Sequence, residues 1–363
     1  MPAPADSRSA PDVPLRLSVL DQSPVSEGST GAQALRNTLD LAEHAERLGY
    51  HRYWVAEHHG TPMLAGASPE ALIGPIAAAT STMRVGSGGV MLPHYSPRKV
   101  AETFSVLSGL FADRIDLGLG RAGSTDDAAT LHALQRDRRT PAPDDYPDQL
   151  AELLAYLEDR PPPDPRFAAL VGLPGRPGHP EPWLLGSSLQ SAIWAGQLGL
   201  PYAFGDFINP DGAEIAHLYR ASFAASQRVA KPRLAVCVSV VCADTDEDAE
   251  RVAASGRMVS AMQRHGELIE VPPVEKALRY LEAADSAPAP SRRTIVGSPA
   301  TVRSSLEDVA DAYGAEEVIV VTITYDHGDR RGSYELISDA FGLTHQVTPQ
   351  AERSYAGHAA GQR

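Results

Sequence analysis

The chain has little lysine, little cysteine and no long apolar run. Its 363 residues include three lysines and two cysteines, and 46 acidic against 32 basic residues give a formal net charge of −14. No Lys/Arg-dense run is present, so a nucleic-acid-binding surface and adhesion to an anionic membrane are both disfavoured. Because arginine carries almost all of the positive charge, we expect any anion site to use arginine, whose planar fork suits phosphate.

The sequence also lacks the patterns expected of disulfide bonds, signal peptides and membrane spans. Cys237 and Cys242 lie five positions apart on a predicted strand, so they point to opposite faces, and neither a disulfide nor a metal site is expected. Met1–Pro14 lacks the apolar core of a signal peptide, and no run of about 18 apolar residues could span a membrane. We therefore expect a cytoplasmic, reduced protein that binds neither nucleic acid nor membranes.

What the sequence does contain is a regular alternation of strands and helices. The connections between the apolar runs are too long for hairpins, which indicates parallel strands joined by crossover helices. Eight such strands favour a closed (β/α)8 TIM barrel, an α/β fold, over an open doubly wound sheet. The predicted strands are 15–20, 51–56, 84–92, 114–119, 182–185, 202–204, 234–241 and 317–323.

The barrel is predicted as a single domain over residues 14–345. Residues 1–13 and 346–363 are expected to be poorly ordered tails. Residues 122–181 are rich in proline and contain one predicted helix, at about 147–158. Because loops of this length in a compact domain commonly act as lids, we interpret 122–181 as an insertion over the mouth of the barrel.

Gly118–Gly123 follows the fourth predicted strand and matches the pattern G-x-G-x-x-G. A dinucleotide-binding interpretation requires a helix directly afterwards and then a strand that ends in an acid. Neither follows here, because the segment continues into the Arg- and Pro-rich stretch 136–147. We therefore expect the glycines to allow close approach of the backbone and Arg121 to bind a phosphate at the end of its strand.

Three serines, Ser187, Ser188 and Ser191, stand where the fifth predicted strand meets its helix. The first N–H groups of a helix lack partners and its dipole is positive at that end, so anions bind there. Capping of the helix by serine is the alternative. Three hydroxyls at the same end of the sheet as Arg121 favour a phosphate site over capping alone.

Two further motifs end neighbouring strands. Glu57-His58-His59 is a poor metal site, because adjacent side chains on a strand diverge. It supplies either hydrogen-bonded loop histidines or a general base or proton shuttle. The glycines of Gly86-Ser87-Gly88-Gly89 indicate a bulge or a close backbone approach, with a flat ligand on the backbone and a strained or cis peptide at Gly88–Gly89. A simple twist of the strand is the alternative.

Together these motifs resemble the bacterial luciferase-like flavin monooxygenases, most closely the branch that includes polyketide-tailoring oxygenases. The likeness is close over residues 15–121 and 182–205 and looser over 294–343. The segments that carry it are Leu17–Asp21, Tyr53–His59, Arg84–Pro93, Arg114–Arg121, Trp183–Ser188, Gly199–Pro201 and Val296–Val302.

The resemblance implies a (β/α)8 barrel, usually a homodimer, that binds FMN at its mouth. Reduced FMN, supplied by a separate flavin reductase, and O2 would oxygenate a small organic substrate, as in the tailoring of secondary metabolites such as antibiotics. His58 matches the family's active-site histidine. The matching cofactor-binding residues are Gly88 and Gly89 beneath the flavin ring, and Arg121, Gly123, Ser187, Ser188 and Ser191 at its phosphate.

The sequence departs from luciferase at two positions and leaves two alternatives open. Ser187 stands where luciferase has an acid. Gly120 stands where luciferase has a cysteine near the flavin, so light emission is not implied. The same barrel also hosts enzymes that use the deazaflavin F420 for hydride transfer without O2. Arg136, Arg138 and Arg139 could bind the acidic tail of that cofactor. A non-catalytic flavin-binding protein is the second alternative.

Overall fold

Parallel strands alternate with helices along the whole chain. The computed structural model describes residues 14–121, 127–140, 144–170, 172–175, 177–210, 212–283 and 293–344. Within these ranges the strands are β1 (Arg16–Asp21), β2 (Arg52–Val55), β3 (Arg84–Met91), β4 (Ile115–Gly120), β5 (Glu181–Gly186), β6 (Tyr202–Gly205), β7 (Leu234–Cys242), β8 (Thr294–Gly297) and β9 (Glu317–Val321).

The helices connect one strand to the next and surround the sheet. In the same ranges they are α1 (Gly31–Arg47), α2 (Pro69–Ala79), α3 (Pro97–Leu110), α4 (Ala128–Leu134), α5 (Tyr146–Leu157), α6 (Leu189–Gln197), α7 (Ala213–Ala221), α8 (Asp246–Arg264), α9 (Val274–Ala283), α10 (Pro299–Tyr313) and α11 (His327–Phe341). Several begin at a capping residue followed by proline, as at Ser96-Pro97. Proline is favoured there because the N–H that it lacks would have no partner in the first turn of the helix.

Eight of the strands close into a barrel. Their order is β6-β5-β4-β3-β2-β1-β9-β7, and a pairing of β6 with β7 closes the ring. These are the eight strands predicted from the sequence, so the (β/α)8 prediction is confirmed. The strand β8 was not predicted. It extends the sheet beside the second half of β7.

One predicted helix is shorter in the structure. The sequence predicts a helix from Pro210 to about Arg228, but α7 ends at Ala221. The chain leaves the helix there because the N–H of Ala224 donates to the carbonyl oxygen of Gly196 on α6. A tertiary hydrogen bond thus replaces the helical one that local sequence would allow.

Apolar side chains pack on both faces of the barrel wall. Outward-facing residues such as Val19, Tyr53 and Leu117 are buried beneath the helices. Inside the barrel, Trp54 and Trp183 meet edge to face with ring centroids 5.4 Å apart. Because these strands are buried on both faces, they read as nearly continuous apolar runs in the sequence.

An ionic cluster fills the end of the barrel where the strands begin. Buried Arg52 donates to the two oxygens of Glu317 at 2.6 and 3.1 Å and to Asp116 at 2.6 Å. Trp54 also donates to Asp116, at 2.9 Å. Burial opposes charge on all three groups, but their mutual attraction outweighs it: the pKa of Arg52 is raised, and the pKa values of Asp116 and Glu317 are lowered. This end of the barrel is therefore closed by paired charges.

The segment between β4 and β5 contains a barrel helix. The apolar face of α5, including Leu150 and Leu153, is buried in the main core, and α5 packs against α3. Beyond α5 the chain follows the outer side of α3, where Arg98 donates to the carbonyl oxygen of Gly172 at 2.8 Å. Thus α5 is the crossover helix of this unit, and a lid formed by the rest of 122–181 stays a prediction.

Both cysteines lie on β7 as buried free thiols. Among the described residues, no helix has the length and hydrophobicity needed to cross a lipid bilayer. The predicted tails, 1–13 and 346–363, lie outside the described residues.

Candidate active site

The carboxyl ends of β4 and β5 lie side by side at one rim of the barrel. In the parallel register, Leu119 of β4 pairs with Leu184 of β5. Arg121 directly follows β4, and Ser187 and Ser188 directly follow β5. The fold therefore brings the arginine and the serine cluster to the same rim, as the closing of parallel strands requires.

The Arg121 side chain extends over α6. Its guanidinium carbon lies 5.8 Å from the ring centroid of Trp194, which follows Ser191 by about one helical turn. The side chain is 48% exposed, and its Nη2 donates to the two oxygens of Asp144 at 2.9 and 3.0 Å. A guanidinium that already binds one anionic group has the charge and donors that a phosphate needs.

The start of α6 is stabilised by a capping box. The Ser188 hydroxyl accepts from the Ser191 N–H at 3.3 Å, and the Ser191 hydroxyl accepts from the Ser188 N–H at 3.4 Å. The Ser191 hydroxyl also lies 2.9 Å from that of Tyr202. Capping, the alternative raised by the sequence, therefore engages two of the three serines. Ser187 is half-buried, and phosphate binding by these hydroxyls stays a prediction.

The strand β3 is irregular next to this rim. The Gly88–Gly89 peptide bond is cis, and the pairing with β4 shifts register between Ser87 and Val90. A Cβ at Gly118 would lie 2.2 Å from the carbonyl oxygen of Ser87, and a Cβ at Gly89 would lie 2.8 Å from that of Gly118. The glycines thus mark a bulge and a close approach of two backbones, as the sequence indicated, and a simple twist is excluded.

Met91 fills the space beside Gly120. The two residues pair across β3 and β4, and a Cβ at position 120 would lie 2.5 Å from the terminal methyl of Met91. The position where luciferase has a cysteine is therefore covered by a thioether from the neighbouring strand.

The buried Glu57 carboxylate connects the ends of β2 and β3. It accepts from the Met91 N–H at 2.9 Å, and its other oxygen lies 2.8 Å from Nε2 of His59. The Tyr95 hydroxyl also hydrogen-bonds to it. His58, the next residue in the chain, is half-buried at the same rim. Glu57 thus holds the backbone beside His58 to the strand that carries the glycine bulge.

Burial sets the protonation of the groups around Glu57. It lowers the pKa of the His94 imidazole and raises the pKa of the Glu70 carboxyl. Burial, followed by the charges of Glu57 and Glu70, raises the pKa of the Tyr95 hydroxyl. The rings of His94 and His59 lie edge to face, with centroids 6.0 Å apart. His94 and Tyr95 are therefore uncharged at neutral pH.

Comparison with known proteins decides the family. The family model described as luciferase-like monooxygenase matches residues 15–316. The chain belongs to the luciferase-like monooxygenase family. It is accordingly a flavin-dependent monooxygenase, as the resemblance in the sequence implied.

Relatives of this monooxygenase align with it over most of their length. The protein YwcH of Bacillus subtilis is 46% identical over 330 residues, which cover 90% of this chain and 98% of YwcH. The N-acetyl-S-alkylcysteine monooxygenase of the same organism is 37% identical over 329 residues, 90% of this chain and 98% of the relative. The crystal structure of apo-MsnO8 is 43% identical, with a TM-score of 0.82, and the match covers 92% of this chain and 99% of MsnO8.

The monooxygenase brings most of its sequence-predicted site residues to one rim. His58, Gly88, Gly89, Arg121 and the three serines all stand at or next to the carboxyl ends of β2 to β5. Gly123 lies outside the described residues. No group of three or more His, Cys, Asp or Glu side chains in the described ranges could hold a metal ion.

Two residues of this rim were not singled out by the sequence: Asp144 at Arg121 and Met91 beside Gly120. Glu57 belonged to a predicted motif, but its contacts with His59 and with the Met91 N–H were not predicted. Glu57 carried one available signal, a carboxyl at the end of an apolar strand. No local pattern predicts the contact between Asp144 and Arg121, 23 positions earlier, because that contact depends on where the end of β4 and the start of α5 lie in the folded barrel.

Proposed function

We propose that this luciferase-like monooxygenase uses reduced FMN, supplied by a separate flavin reductase, and O2 to oxygenate a small organic substrate. The observation that carries the proposal is the position of Arg121 against α6, at the rim where the helix begins with Ser188. A guanidinium that packs on Trp194 of this helix, at the rim where the helix begins, suits a terminal phosphate, which FMN has and riboflavin lacks.

The residues of the chain bind, orient and handle protons in this proposal. When bound, reduced FMN would supply the electrons that activate O2. Arg121 would hold the phosphate, and the backbone of Gly88–Gly89 would support the ring. The imidazole of His58 would donate or accept a proton, because histidine titrates near neutral pH. Trp54 and Trp183 fill the barrel below the rim and exclude water from that side.

The substrate is proposed at the level of a chemical class. A thioether is the first class to test, because a relative that is 37% identical is named N-acetyl-S-alkylcysteine monooxygenase. A secondary metabolite that requires tailoring is the second class, proposed from the sequence resemblance to polyketide-tailoring oxygenases. The homodimer implied by that resemblance is proposed on the same ground.

Binding and oxygen uptake test the proposal. Purified protein is titrated with FMN, riboflavin and F420, each oxidised and, without air, reduced. The reduced FMN complex is then mixed with O2 and an S-alkylcysteine derivative, and oxygen uptake and oxygenated product are measured. We expect FMN to bind more tightly than riboflavin and product to form in proportion to oxygen consumed.

Two results would contradict the proposal. Tight binding of F420 with hydride transfer and no oxygen uptake would favour the deazaflavin alternative. Tight binding of FMN with no oxygenated product from either substrate class would favour the non-catalytic flavin-binding alternative.

A further inference from the structure

Asp144 binds the same guanidinium that the flavin phosphate would need. Its two carboxylate oxygens lie 2.9 and 3.0 Å from Nη2 of Arg121. The Asp144 side chain is 76% exposed, so water reaches the pair. Exposed ion pairs are weakly held, because side-chain entropy and solvent offset most of their attraction, and this pair can therefore open.

The neighbouring residue offers a comparison within the same segment. Asp145 binds Arg136 with a shortest distance of 2.6 Å, and Arg136 also donates to the carbonyl oxygen of Pro93 beyond β3. Two consecutive aspartates thus each bind an arginine. Of the two arginines, it is Arg121, the partner of Asp144, that lies over Trp194 of α6.

A phosphate and the Asp144 carboxylate would compete for Arg121. Both are anions, so their repulsion disfavours simultaneous binding to one guanidinium. If Asp144 must leave before the phosphate binds, the apparent affinity falls in proportion to the fraction of molecules in which the pair is open.

We infer that Asp144 is a built-in competitor of the flavin phosphate, which weakens the binding of FMN and keeps the cofactor exchangeable. The inference rests on the proposed function, in which oxidised flavin must return to a separate reductase. Asp144 acts here through Arg121 and sets the affinity for a phosphate-bearing flavin.

The test is a pair of matched variants. Asp144→Asn removes the charge and keeps the size of the side chain, and Asp145→Asn does the same one position later. Wild type and both variants are titrated with FMN and riboflavin at one ionic strength, with flavin fluorescence as the readout and the thermal midpoint as a check of folding. We expect Asp144→Asn to bind FMN about two- to ten-fold more tightly, with riboflavin affinity unchanged and Asp145→Asn equal to wild type.

Inorganic phosphate provides a second readout. Its inhibition constant against FMN binding should be lower for Asp144→Asn than for wild type, because Asp144 competes with inorganic phosphate for Arg121 as it does with FMN. An FMN affinity that is unchanged or weaker in Asp144→Asn overturns the inference, as does an equal gain in Asp145→Asn. A wild-type protein that binds FMN no better than riboflavin overturns the phosphate site itself, and the proposed function with it.

Discussion

Two arginines at opposite ends of one barrel bind carboxylates in different surroundings. Arg52 is fully buried, as are its partners Asp116 and Glu317. Arg121 is 48% exposed and its partner Asp144 is 76% exposed. A buried pair cannot open without leaving a charge in a poorly solvated interior, whereas an exposed pair can exchange its partner for a ligand. The amino-terminal end of this barrel therefore holds buried ion pairs that stay closed, whereas the carboxyl-terminal rim holds an exposed ion pair that can open.

The largest effect is expected at the buried end. Arg52→Met leaves Glu317 without its buried counter-charge and leaves Asp116 paired with Arg84 alone, which should lower the free energy of unfolding by about 3–5 kcal/mol. Chemical denaturation monitored by circular dichroism measures the loss. Arg121→Met is the matched control and should cost less than about 1 kcal/mol. Equal losses in the two variants would remove the distinction between the two ends.

Catalysis should depend on the rim and not on the buried cluster. His58→Ala is expected to reduce turnover by about 10²- to 10⁴-fold, because it removes the proposed proton-transfer group. Steady-state oxygen uptake with an active substrate measures the loss, and FMN affinity should stay near that of wild type. Turnover that survives this substitution would show that another group, such as the neighbouring His59, handles the proton.

Arg121 should control flavin binding while contributing little to stability. Arg121→Met is expected to weaken FMN binding by about 10- to 100-fold, since charge-assisted hydrogen bonds to the phosphate are lost. Riboflavin should bind this variant and wild type equally. A parallel loss of riboflavin affinity would mean that Arg121 supports the ring pocket and not the phosphate.

The smallest effect is expected at Ser188, where two substitutions distinguish capping of α6 from anion binding. Ser188→Ala removes the N-cap and should cost about 1 kcal/mol of stability. If the hydroxyl also contacts phosphate, FMN affinity falls relative to riboflavin; thermal unfolding and the two titrations distinguish these roles. Ser188→Asp restores the cap, and its added negative charge should weaken FMN binding in particular.

The order of the barrel strands could be predicted because apolar runs and crossover lengths are local properties. Each of the eight strands was identified from its own residues, and the parallel connection rule joined them. The strand β8 and the helices α4 and α9 were not identified; α4 has only seven residues, whereas α9 carries a clear amphipathic pattern that could have revealed it. The helix α5 was predicted from its own residues, but its place in the barrel wall was not, because that place depends on packing against α3.

The placement of the candidate site residues was predictable in part. Motifs at strand ends placed His58, Arg121 and the glycine bulge at one rim, because parallel strands bring their carboxyl ends together. The role of Ser191 was not determined, since the sequence could not show that its hydroxyl lies 2.9 Å from that of Tyr202. Whether a serine hydroxyl caps a helix or is available to bind a ligand depends on such distances to neighbouring groups in the fold.

The sequence by itself determined the architecture, an eight-fold alternation of strand and helix. Because the strands are parallel, their polar carboxyl ends lie together at one rim. Only the tertiary structure decided which charges meet: Arg52 with Glu317, which are 265 positions apart, and Arg121 with Asp144. The physical reason is that strand and helix periodicity arise from neighbouring residues, whereas the pairing and burial of charges depend on register and on closure of the barrel.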